Sequence, residues 1–200
     1  MNSRSDIRRS MRAGRRAVPP RQRRAAGIAL MHSAIRLPMW RWARRVAIYR
    51  PADGEIDTTP LAREARRCNK QLYLPVVDGH KLRFRRWQPQ QTMAPNRFGI
   101  PEPPRAAPEC PTRWLDLVIM PLVAFDGAGN RLGMGGGFYD HTFAFRHRHP
   151  RWRHPRLVGA AFGLQQAEAL PTRPWDVPLD AVITDTGVVR PQPQTEGKPA

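Results

Sequence analysis

The most constraining feature of this sequence is an apolar segment that leads into a glycine-rich loop. The segment runs from Asp116 to Val123, D-L-V-I-M-P-L-V, and the glycines follow between Gly127 and Gly137. A nearly continuous apolar run of strand length is typical of a β-strand that helices cover on both faces of a parallel sheet. We therefore predict that this segment is a central strand and that the loop lies at the carboxyl ends of the strands.

The rest of the chain alternates between helix and strand patterns. The spacing of Ile7, Met11, Arg15 and Val18 predicts a short basic helix over Asp6–Val18, capped by Ser5 or Asp6 and stopped by Pro19-Pro20. The other predicted helices are one over Arg21–Arg36, one capped by Asp57 or Thr58, and one from about Phe138 to Arg148. The other predicted strands are Val46–Tyr49, Leu72–Val77, Leu157–Phe162 and Ala181–Thr184. Strands separated by helices predict an α/β fold, with a mostly parallel open sheet flanked by helices in three Rossmann-like layers. We expect a single domain over residues 1–190 and a disordered tail over residues 191–200.

The charge balance is strongly basic. The chain of 200 residues has 34 Lys and Arg against 16 Asp and Glu, a formal net charge of +18. Fourteen arginines and one acid, Asp6, lie in the first fifty residues. Such a balance favours anionic partners, namely nucleic acid, phosphates or polycarboxylates.

Cysteine usage and hydropathy indicate the compartment. Cys68 and Cys110 form neither a C-x-x-C motif nor a metal-ligand spacing. The longest apolar run is far shorter than the roughly 18 residues of a membrane-spanning helix, and the amino-terminal arginines precede no apolar signal core. We therefore expect a soluble cytoplasmic protein without a membrane partner, and a monomer.

The glycine-rich loop carries the densest local signal for chemistry. It reads R-L-G-M-G-G-G-F-Y-D from Arg131 to Asp140. Glycines at a strand-to-helix turn let backbone N–H groups approach phosphate oxygens, and the helix start adds partial positive charge. The loop lacks the lysine of a P-loop and has Phe138 where a Rossmann fingerprint needs glycine. It predicts phosphate binding outside these two motifs, and a flexible turn is the alternative.

A second long loop is predicted between Gln88 and Pro111, where prolines are dense and periodicity vanishes. Loops of this length are uncommon in a compact domain unless they cover or line a site. We expect this loop to act as a lid.

Four stretches of the chain form a recognisable set. They are R-S-D-I-R-R-S-M-R-A-G-R-R-A from Arg4, G-E-I-D-T-T-P-L from Gly54, the central strand with its glycine loop, and P-W-D-V-P-L-D-A-V-I-T from Pro174. Together they resemble the 5-formyltetrahydrofolate cyclo-ligase family, also called 5,10-methenyltetrahydrofolate synthetases. The resemblance covers nearly the whole chain except the tail.

This resemblance implies an activity. It implies ring closure of 5-formyltetrahydrofolate to 5,10-methenyltetrahydrofolate, with ATP as co-substrate, Mg²⁺ as cofactor, and release of ADP and phosphate. The formyl oxygen is phosphorylated first, so that N10 of the same folate can attack the formyl carbon. The protein then mainly positions the reactants and stabilises charge.

The resemblance also assigns residues. It gives catalytic roles to Arg131 and Tyr139, and magnesium to Asp140 and Asp176. The ATP-binding residues that it implies are Arg4, Arg8, Arg131, Leu132, Gly133, Met134, Gly135, Gly136, Gly137, Phe138 and Tyr139. The folate-binding residues that it implies are Arg50, Glu55, Met134, Gly135, Gly136, Gly137 and Phe138. Many relatives have basic residues where this chain has Met134 and Gly136, so Arg131 and the amino-terminal arginines would bind more of the phosphate.

Two other functions stay open at this point. The basic amino-terminal half is also typical of a nucleic-acid-binding protein, although no known RNA or DNA motif accompanies it. The departures at Met134 and Gly136 are compatible with a catalytically inactive relative that binds ATP or folate. His147, His149 and His154 have no carboxylate or cysteine nearby in sequence, so we interpret them as surface residues rather than a zinc site.

Overall fold

The computed structural model describes residues 3–149 and 154–191. Its helices are α1 (Arg4–Ala17), α2 (Pro20–Ile35), α3 (Pro38–Trp42), α4 (Thr59–Arg67), α5 (Phe138–Phe143) and α6 (Phe145–Arg148). Its strands are β1 (Arg45–Ala47), β2 (Gln71–Asp78), β3 (Lys81–Arg86), β4 (Ala94–Pro95), β5 (Pro101–Glu102), β6 (Glu109–Cys110), β7 (Leu117–Pro121), β8 (Ala124–Phe125), β9 (Arg131–Leu132), β10 (Arg156–Ala160), β11 (Ala181–Ile183) and β12 (Val188–Val189).

The main sheet is mostly parallel, as predicted. Within the described residues its strand order is β12-β11-β10-β7-β1-β2-β3-β6. Strands β2, β1, β7, β10 and β11 run parallel to one another, whereas β3, β6 and β12 pair antiparallel at the two ends. The predicted central strand is β7, which lies between β10 and β1. The α/β fold class is therefore confirmed.

Two apolar layers cover the sheet. On one face Val46, Ile119 and Val158 pack against residues of α2 and α4, including Leu30 and Leu61. On the opposite face Ala47, Val118, Met120, Leu157 and Val182 pack against the region of α5, including Phe143. Successive side chains of a strand point to opposite faces, so a central strand buried on both sides must be apolar throughout. This explains the continuous apolar run in β7.

The ends of several helices differ from the predictions. The cap of α1 is Ser3, not Ser5 or Asp6, because the Ser3 hydroxyl accepts a hydrogen bond from the Asp6 backbone N–H at 3.2 Å. The predicted helix over Phe138–Arg148 is interrupted at Ala144. The Thr142 hydroxyl donates to the Phe138 carbonyl oxygen at 2.6 Å, a contact within the helix that is known to bend helices.

Seven strands in the described part of the chain were not predicted, namely β3, β4, β5, β6, β8, β9 and β12, and two of them, β3 and β12, extend the sheet next to predicted strands. Strand β3 alternates charged and apolar residues and follows the turn at Gly79, whose φ is +58°. The strand predicted over Ala181–Thr184 is not the last one, because β12 follows it after a turn and pairs antiparallel with β11. Both are short-range hairpin partners of strands that the hydrophobic pattern did predict.

No helix in the described part of the chain is long and apolar enough to cross a membrane. Most of the tail predicted to be disordered, residues 192–200, lies outside the described residues. The single-domain organisation stays a prediction.

Candidate active site

A cavity of about 710 Å³ lies at the carboxyl ends of the parallel strands. Its walls come from the loop after β1, the glycine-rich loop and the long loop between Gln88 and Pro111. Phe98 of the long loop contacts Phe138 edge to face, with ring centroids 5.9 Å apart. The long loop therefore lines the site, and its movement as a lid stays a prediction.

The glycine-rich loop is shaped by backbone conformations that favour glycine. Gly135 has φ +109° and Gly137 has φ +64°, in a region that residues with a side chain rarely adopt. Within the described residues, the five backbone N–H groups of residues 133–137 donate to no protein acceptor. These N–H groups stay available for the oxygens of a ligand.

Arg131 and Asp140 form an ion pair at the base of this loop. The hairpin of β8 and β9 positions Arg131, and its Nη2 donates to Asp140 Oδ1 at 2.7 Å. Both side chains line the cavity. The Nε of Arg131 is buried and has no hydrogen-bond partner in the described structure. A buried donor without an acceptor is costly, and an anionic ligand oxygen would satisfy it.

Helix α1 places two predicted ATP-binding residues, Arg4 and Arg8, next to Asp176 and the glycine-rich loop. Arg8 Nε donates to the Gly133 carbonyl oxygen at 2.8 Å. The guanidinium of Arg4 binds both carboxylate oxygens of Asp176, at 2.7 and 3.3 Å. The Val177 backbone N–H, next to Asp176, donates to Asp140 Oδ1 at 3.0 Å. The structure thus brings Arg4 and Arg8 of α1 together with Gly133, Asp140 and Asp176, which lie far from them in sequence.

The two aspartates predicted to bind magnesium are linked through the Val177 backbone N–H, which donates to Asp140, and each is paired with an arginine. Across residues 3–149 and 154–191, no group of three or more His, Cys, Asp or Glu side chains could hold a metal ion. Mg²⁺ is usually bound by one or two carboxylates together with phosphate oxygens and water. Asp140 and Asp176 therefore fit a magnesium ion that arrives with a phosphate.

Glu55 lies in another part of the cavity wall. It follows the turn at Asp53 and Gly54, and its Oε2 accepts the Ala52 backbone N–H at 3.0 Å. Burial raises the pKa of Glu55 to about 7, against the effects of this hydrogen bond and of the positive charge of Arg15. A solvent-facing turn residue would not behave in this way.

Two tyrosines lie near Glu55. Burial, together with the negative charge of Glu55, raises the pKa of Tyr139 and of Tyr49 above the ordinary value. Tyr139 lines the cavity and stacks on Phe143, with ring centroids 6.4 Å apart. Its phenol is protonated at neutral pH and can donate a hydrogen bond to a ligand.

An arginine cluster on Asp53 was not predicted as part of the site. Arg12, Arg15 and Arg16 all bind the Asp53 carboxylate, with the Arg15 Nη2 at 2.7 Å and the Arg12 Nε at 2.8 Å. Although desolvation opposes it, these hydrogen bonds hold the pKa of Asp53 below its usual range. The position of Arg15 on the thin apolar stripe of α1 was the available sequence signal, because it faces the protein.

Arg15 connects three parts of the site. Its side chain is 0% exposed, and besides Asp53 it donates to the Leu122 carbonyl oxygen at 3.2 Å. Its Nη2 also lies 3.7 Å from the sulfur of Met134 in the glycine loop. The loop that carries Glu55 and the glycine loop therefore share one buried guanidinium.

The structure does not bring every predicted residue to the cavity surface. Leu132 is buried and packs with Ile7 and Met11 of α1, so only its backbone could meet a ligand. Gly135 is not part of the cavity wall, and neither are Arg4, Arg8 and Asp176, whereas Gly133, Met134, Gly136, Gly137 and Phe138 are. Arg50 does line the cavity.

The fold and the cavity define the class of this protein, an α/β protein with a small-molecule site at the carboxyl ends of its parallel strands. The family model described as "5-formyltetrahydrofolate cyclo-ligase family" matches residues 1–185. The chain therefore belongs to the 5-formyltetrahydrofolate cyclo-ligase family and is an enzyme, a ligase.

Similar proteins agree with this assignment. The 5-formyltetrahydrofolate cyclo-ligase of Escherichia coli K12 is 39% identical over 184 residues, which are 89% of this chain and 98% of that protein. The protein of the same name from Haemophilus influenzae is 41% identical over 186 residues, 90% of this chain and 96% of that protein. The solved structure of Aquifex aeolicus 5,10-methenyltetrahydrofolate synthetase has a TM-score of 0.78 and 31% identity, covering 98% of this chain and 95% of that chain.

Proposed function

We propose that this chain cyclises 5-formyltetrahydrofolate to 5,10-methenyltetrahydrofolate in a reaction that uses ATP and Mg²⁺ and releases ADP and phosphate. The observation that carries the proposal is one cavity whose wall holds both Glu55 and the glycine-rich loop with its free N–H groups. A folate needs a carboxylate that recognises the pterin, and phosphoryl transfer needs donors for phosphate oxygens.

Glu55 is proposed to bind the pterin ring. A carboxylate can accept two parallel hydrogen bonds from the donor edge of a pterin, and such charge-assisted pairs are strong. The partly buried position of Glu55 removes competing water. Because the pKa of Glu55 is about 7, this carboxylate is fully ionised only above neutral pH.

The glycine loop is proposed to hold the phosphates while the formyl group is activated. The formyl oxygen attacks the terminal phosphorus of ATP, and the bond between that phosphorus and the ADP oxygen breaks. N10 then attacks the formyl carbon and loses its proton to solvent, and the carbon–oxygen bond of that carbon breaks as phosphate leaves. Arg131 and the N–H groups of residues 133–137 would stabilise the charge on the transferring group, and Arg4 and Arg8 would bind the nucleotide phosphates.

Asp140 and Asp176 are proposed to hold magnesium. When bound, magnesium neutralises the negative charge that phosphate oxygens carry. Both carboxylates are engaged by arginines in the structure. Arg131 and Arg4 would therefore exchange a carboxylate for a phosphate oxygen, so that no charge in the site loses its partner. Tyr139, whose phenol stays protonated, would donate a hydrogen bond within the site.

The direct test is formation of the methenyl product, which has its own chromophore. Purified protein is mixed with 5-formyltetrahydrofolate, ATP and Mg²⁺, and absorbance is followed with each component omitted in turn. We expect product only in the complete mixture, with ADP and phosphate in equal amounts. Binding of ATP and folate without product would support the inactive-relative alternative.

The structure weakens the case for a nucleic-acid-binding protein. Four arginines of α1, namely Arg4, Arg12, Arg15 and Arg16, are bound to carboxylates of Asp53 or Asp176. They therefore do not form a free cationic face. The cytoplasmic location and monomeric state stay predictions.

A further inference from the structure

The turn that carries Glu55 is closed by two reciprocal contacts. The Glu55 backbone N–H donates to the Ala52 carbonyl oxygen at 2.9 Å, and the Glu55 carboxylate accepts the Ala52 backbone N–H at 3.0 Å. The two central residues, Asp53 and Gly54, have φ of +49° and +75°. Positive φ at both central positions is typical of a type I′ turn, which favours Asp and Gly. The direction of the Glu55 carboxylate therefore depends on the conformation of this turn.

Helix α1 holds the turn through Asp53. The Nε of Arg15 donates to the Asp53 carbonyl oxygen at 2.9 Å, and its Nη2 donates to the carboxylate at 2.7 Å. Arg12 donates to the same carboxylate oxygen at 2.8 Å, and the Nε of Arg16 donates to the other oxygen at 2.6 Å. A displaced Asp53 would leave the buried charge of Arg15 unpaired, which is costly. The turn is therefore fixed to the helix.

The same helix also supports the glycine-rich loop. The Nε of Arg8 donates to the Gly133 carbonyl oxygen at 2.8 Å. Arg8, Arg12 and Arg15 are spaced by four and then three residues, so they lie on one face of α1. Arg8 and Arg15 are two helical turns apart, about 10 Å along the axis. This arginine face of α1 therefore fixes the position of the Glu55 turn relative to the glycine-rich loop.

We propose that Asp53 is a positioning residue for Glu55, which it holds in place relative to the glycine-rich loop through the arginine face of α1. This inference rests on the proposed function, in which Glu55 binds the pterin and the glycine-rich loop binds phosphate. The formyl oxygen has to lie in line with the terminal phosphorus, and a misplacement of about 1 Å can cost about a hundredfold in rate. Asp53 acts on the reaction through Glu55.

Asp53 also acts on Glu55 through its charge. Burial is the main cause of the raised pKa of Glu55; the positive charge of Arg15 lowers this pKa and the negative charge of Asp53 raises it. Loss of the Asp53 charge would also leave the charge of Arg15 uncompensated, so both effects would lower the pKa of Glu55. Other titratable or charged side chains that border the same cavities stay unchanged, among them Arg12, Arg23, Tyr49, Arg50, Asp57 and Tyr139.

The test compares Asp53→Asn with a matched control. Asparagine keeps the shape of the side chain and also tolerates positive φ, so the substitution removes the charge alone. The control is Asp180→Asn, because the Asp180 carboxylate also binds two arginines, Arg146 and Arg156, but lies at the start of β11, at the opposite edge of the sheet from the cavity. Binding of 5-formyltetrahydrofolate without nucleotide, and of a non-hydrolysable ATP analogue with Mg²⁺, is measured by calorimetry on both sides of neutral pH.

Above neutral pH we expect Asp53→Asn to weaken folate binding by roughly tenfold. The ATP analogue should bind as to the wild type, because Arg8 still holds the glycine-rich loop. The pH below which folate binding weakens should move down. Asp180→Asn should change neither affinity nor this pH dependence. Unchanged folate affinity in Asp53→Asn, equal weakening by the two variants, an equal loss of nucleotide affinity, or a pH dependence that does not move down would overturn the proposal.

Two milder variants decide the question if Asp53→Asn does not fold. Arg16→Gln removes one exposed partner of Asp53, and Arg9→Gln removes an exposed arginine of the same helix whose partner is Asp6. Arg16→Gln should weaken folate binding by about threefold, and Arg9→Gln should leave it unchanged. Equal effects of these two variants would overturn the proposal.

Failure of the proposed function gives a different result. If the wild-type chain binds folate but forms no methenyl product, the proposed reaction is wrong, and the calorimetric comparison still decides the role of Asp53. If product forms and Asp53→Asn binds folate as the wild type does, the reaction stands and the positioning role is wrong.

Discussion

The carboxylates on the glycine-loop side of the cavity are paired with arginines, whereas the Glu55 carboxylate on the other side is not. On the glycine-loop side Asp140 and Asp176 are each paired with an arginine at 2.7 Å. On the other side Glu55 accepts a backbone hydrogen bond but forms no ion pair within the described structure, and its pKa is raised to about 7.

This difference predicts what each side responds to. Paired ions can exchange one partner for a phosphate or a metal ion, so the glycine-loop side should respond to Mg²⁺ and to nucleotide. An unpaired carboxylate with a pKa near neutrality gains or loses its charge with small changes of pH. The Glu55 side should therefore respond to pH.

Replacing Glu55 should have the largest effect. Glu55→Gln keeps the shape but loses the charge, and above pH 7 we expect kcat/KM for the folate to fall by about a hundredfold, the range for two charge-assisted hydrogen bonds. In the wild type kcat/KM should fall by about tenfold per pH unit below pH 7, because the protonated acid binds the pterin poorly. The Glu55→Gln variant should not show this fall in kcat/KM below pH 7. Glu64→Gln on α4 is the control.

Stability measurements separate this loss from misfolding. The pKa of Glu55 lies above its ordinary value of 4.5 in the folded protein, so its contribution to stability is fully present below about pH 4.5 and is lost as pH rises through about 7. Glu55→Gln should therefore be more resistant to unfolding than the wild type above pH 7 while being less active. A less stable variant there would contradict the burial argument.

Replacing Asp140 or Asp176 should have the next largest effect. Asp140→Asn and Asp176→Asn should each raise the Mg²⁺ concentration for half-maximal activity by roughly thirtyfold, a loss of about 2 kcal/mol. Residues that act as a unit are not additive, so the double variant should lose little more than the worse single one. Additive losses with an unchanged Mg²⁺ requirement would rule out a shared metal site.

Two arginines of α1 should matter more than their neighbours. The double variant Arg4→Ala with Arg8→Ala should lose at least about tenfold in kcat/KM for ATP, as removal of charge-assisted phosphate contacts predicts. Arg9→Ala with Arg21→Ala removes the same charge from exposed positions and should stay near the wild type. Equal losses in the two double variants would mean that the basic amino terminus contributes a general positive electrostatic field rather than specific phosphate contacts.

The smallest effect is expected from one methyl group in the glycine loop. A Cβ on Gly133 would meet no atom within 4 Å, and its backbone needs no positive φ. Gly133→Ala should therefore fold normally but raise the KM for ATP about fivefold if phosphate occupies that space. Gly127→Ala, also in open space, is the matched control. Identical kinetics for the two variants would favour a simple turn.

The features of the fold and the site that depend on local sequence patterns could be predicted from the sequence. The continuous apolar run of β7 predicted a central strand, and the order of helices and strands predicted the sheet. The glycine-rich loop predicted a backbone open to a ligand, because glycine is the residue that adopts positive φ easily. The resemblance to a family added Glu55, Asp140 and Asp176, which no local pattern singled out.

Long-range pairing could not be predicted in the same way. Nothing near Arg4 in the sequence indicates Asp176, and three arginines converge on Asp53 only because α1 packs beside the loop after β1. Strand β3 was missed although its charged and apolar residues alternate as in an antiparallel strand with one exposed face. The pKa of Glu55 depends on burial, which only the folded chain defines.

The contacts of α1 also bear on how the chain assembles during synthesis. This helix precedes the other described elements in the chain, yet its partners are Asp53, Leu122, Gly133 and Asp176. Domains generally fold as units while the chain emerges from its amino terminus. Helix α1 must therefore wait for most of the polypeptide before it can dock, and a nascent chain stopped before residue 176 would carry an active-site helix without its final partner.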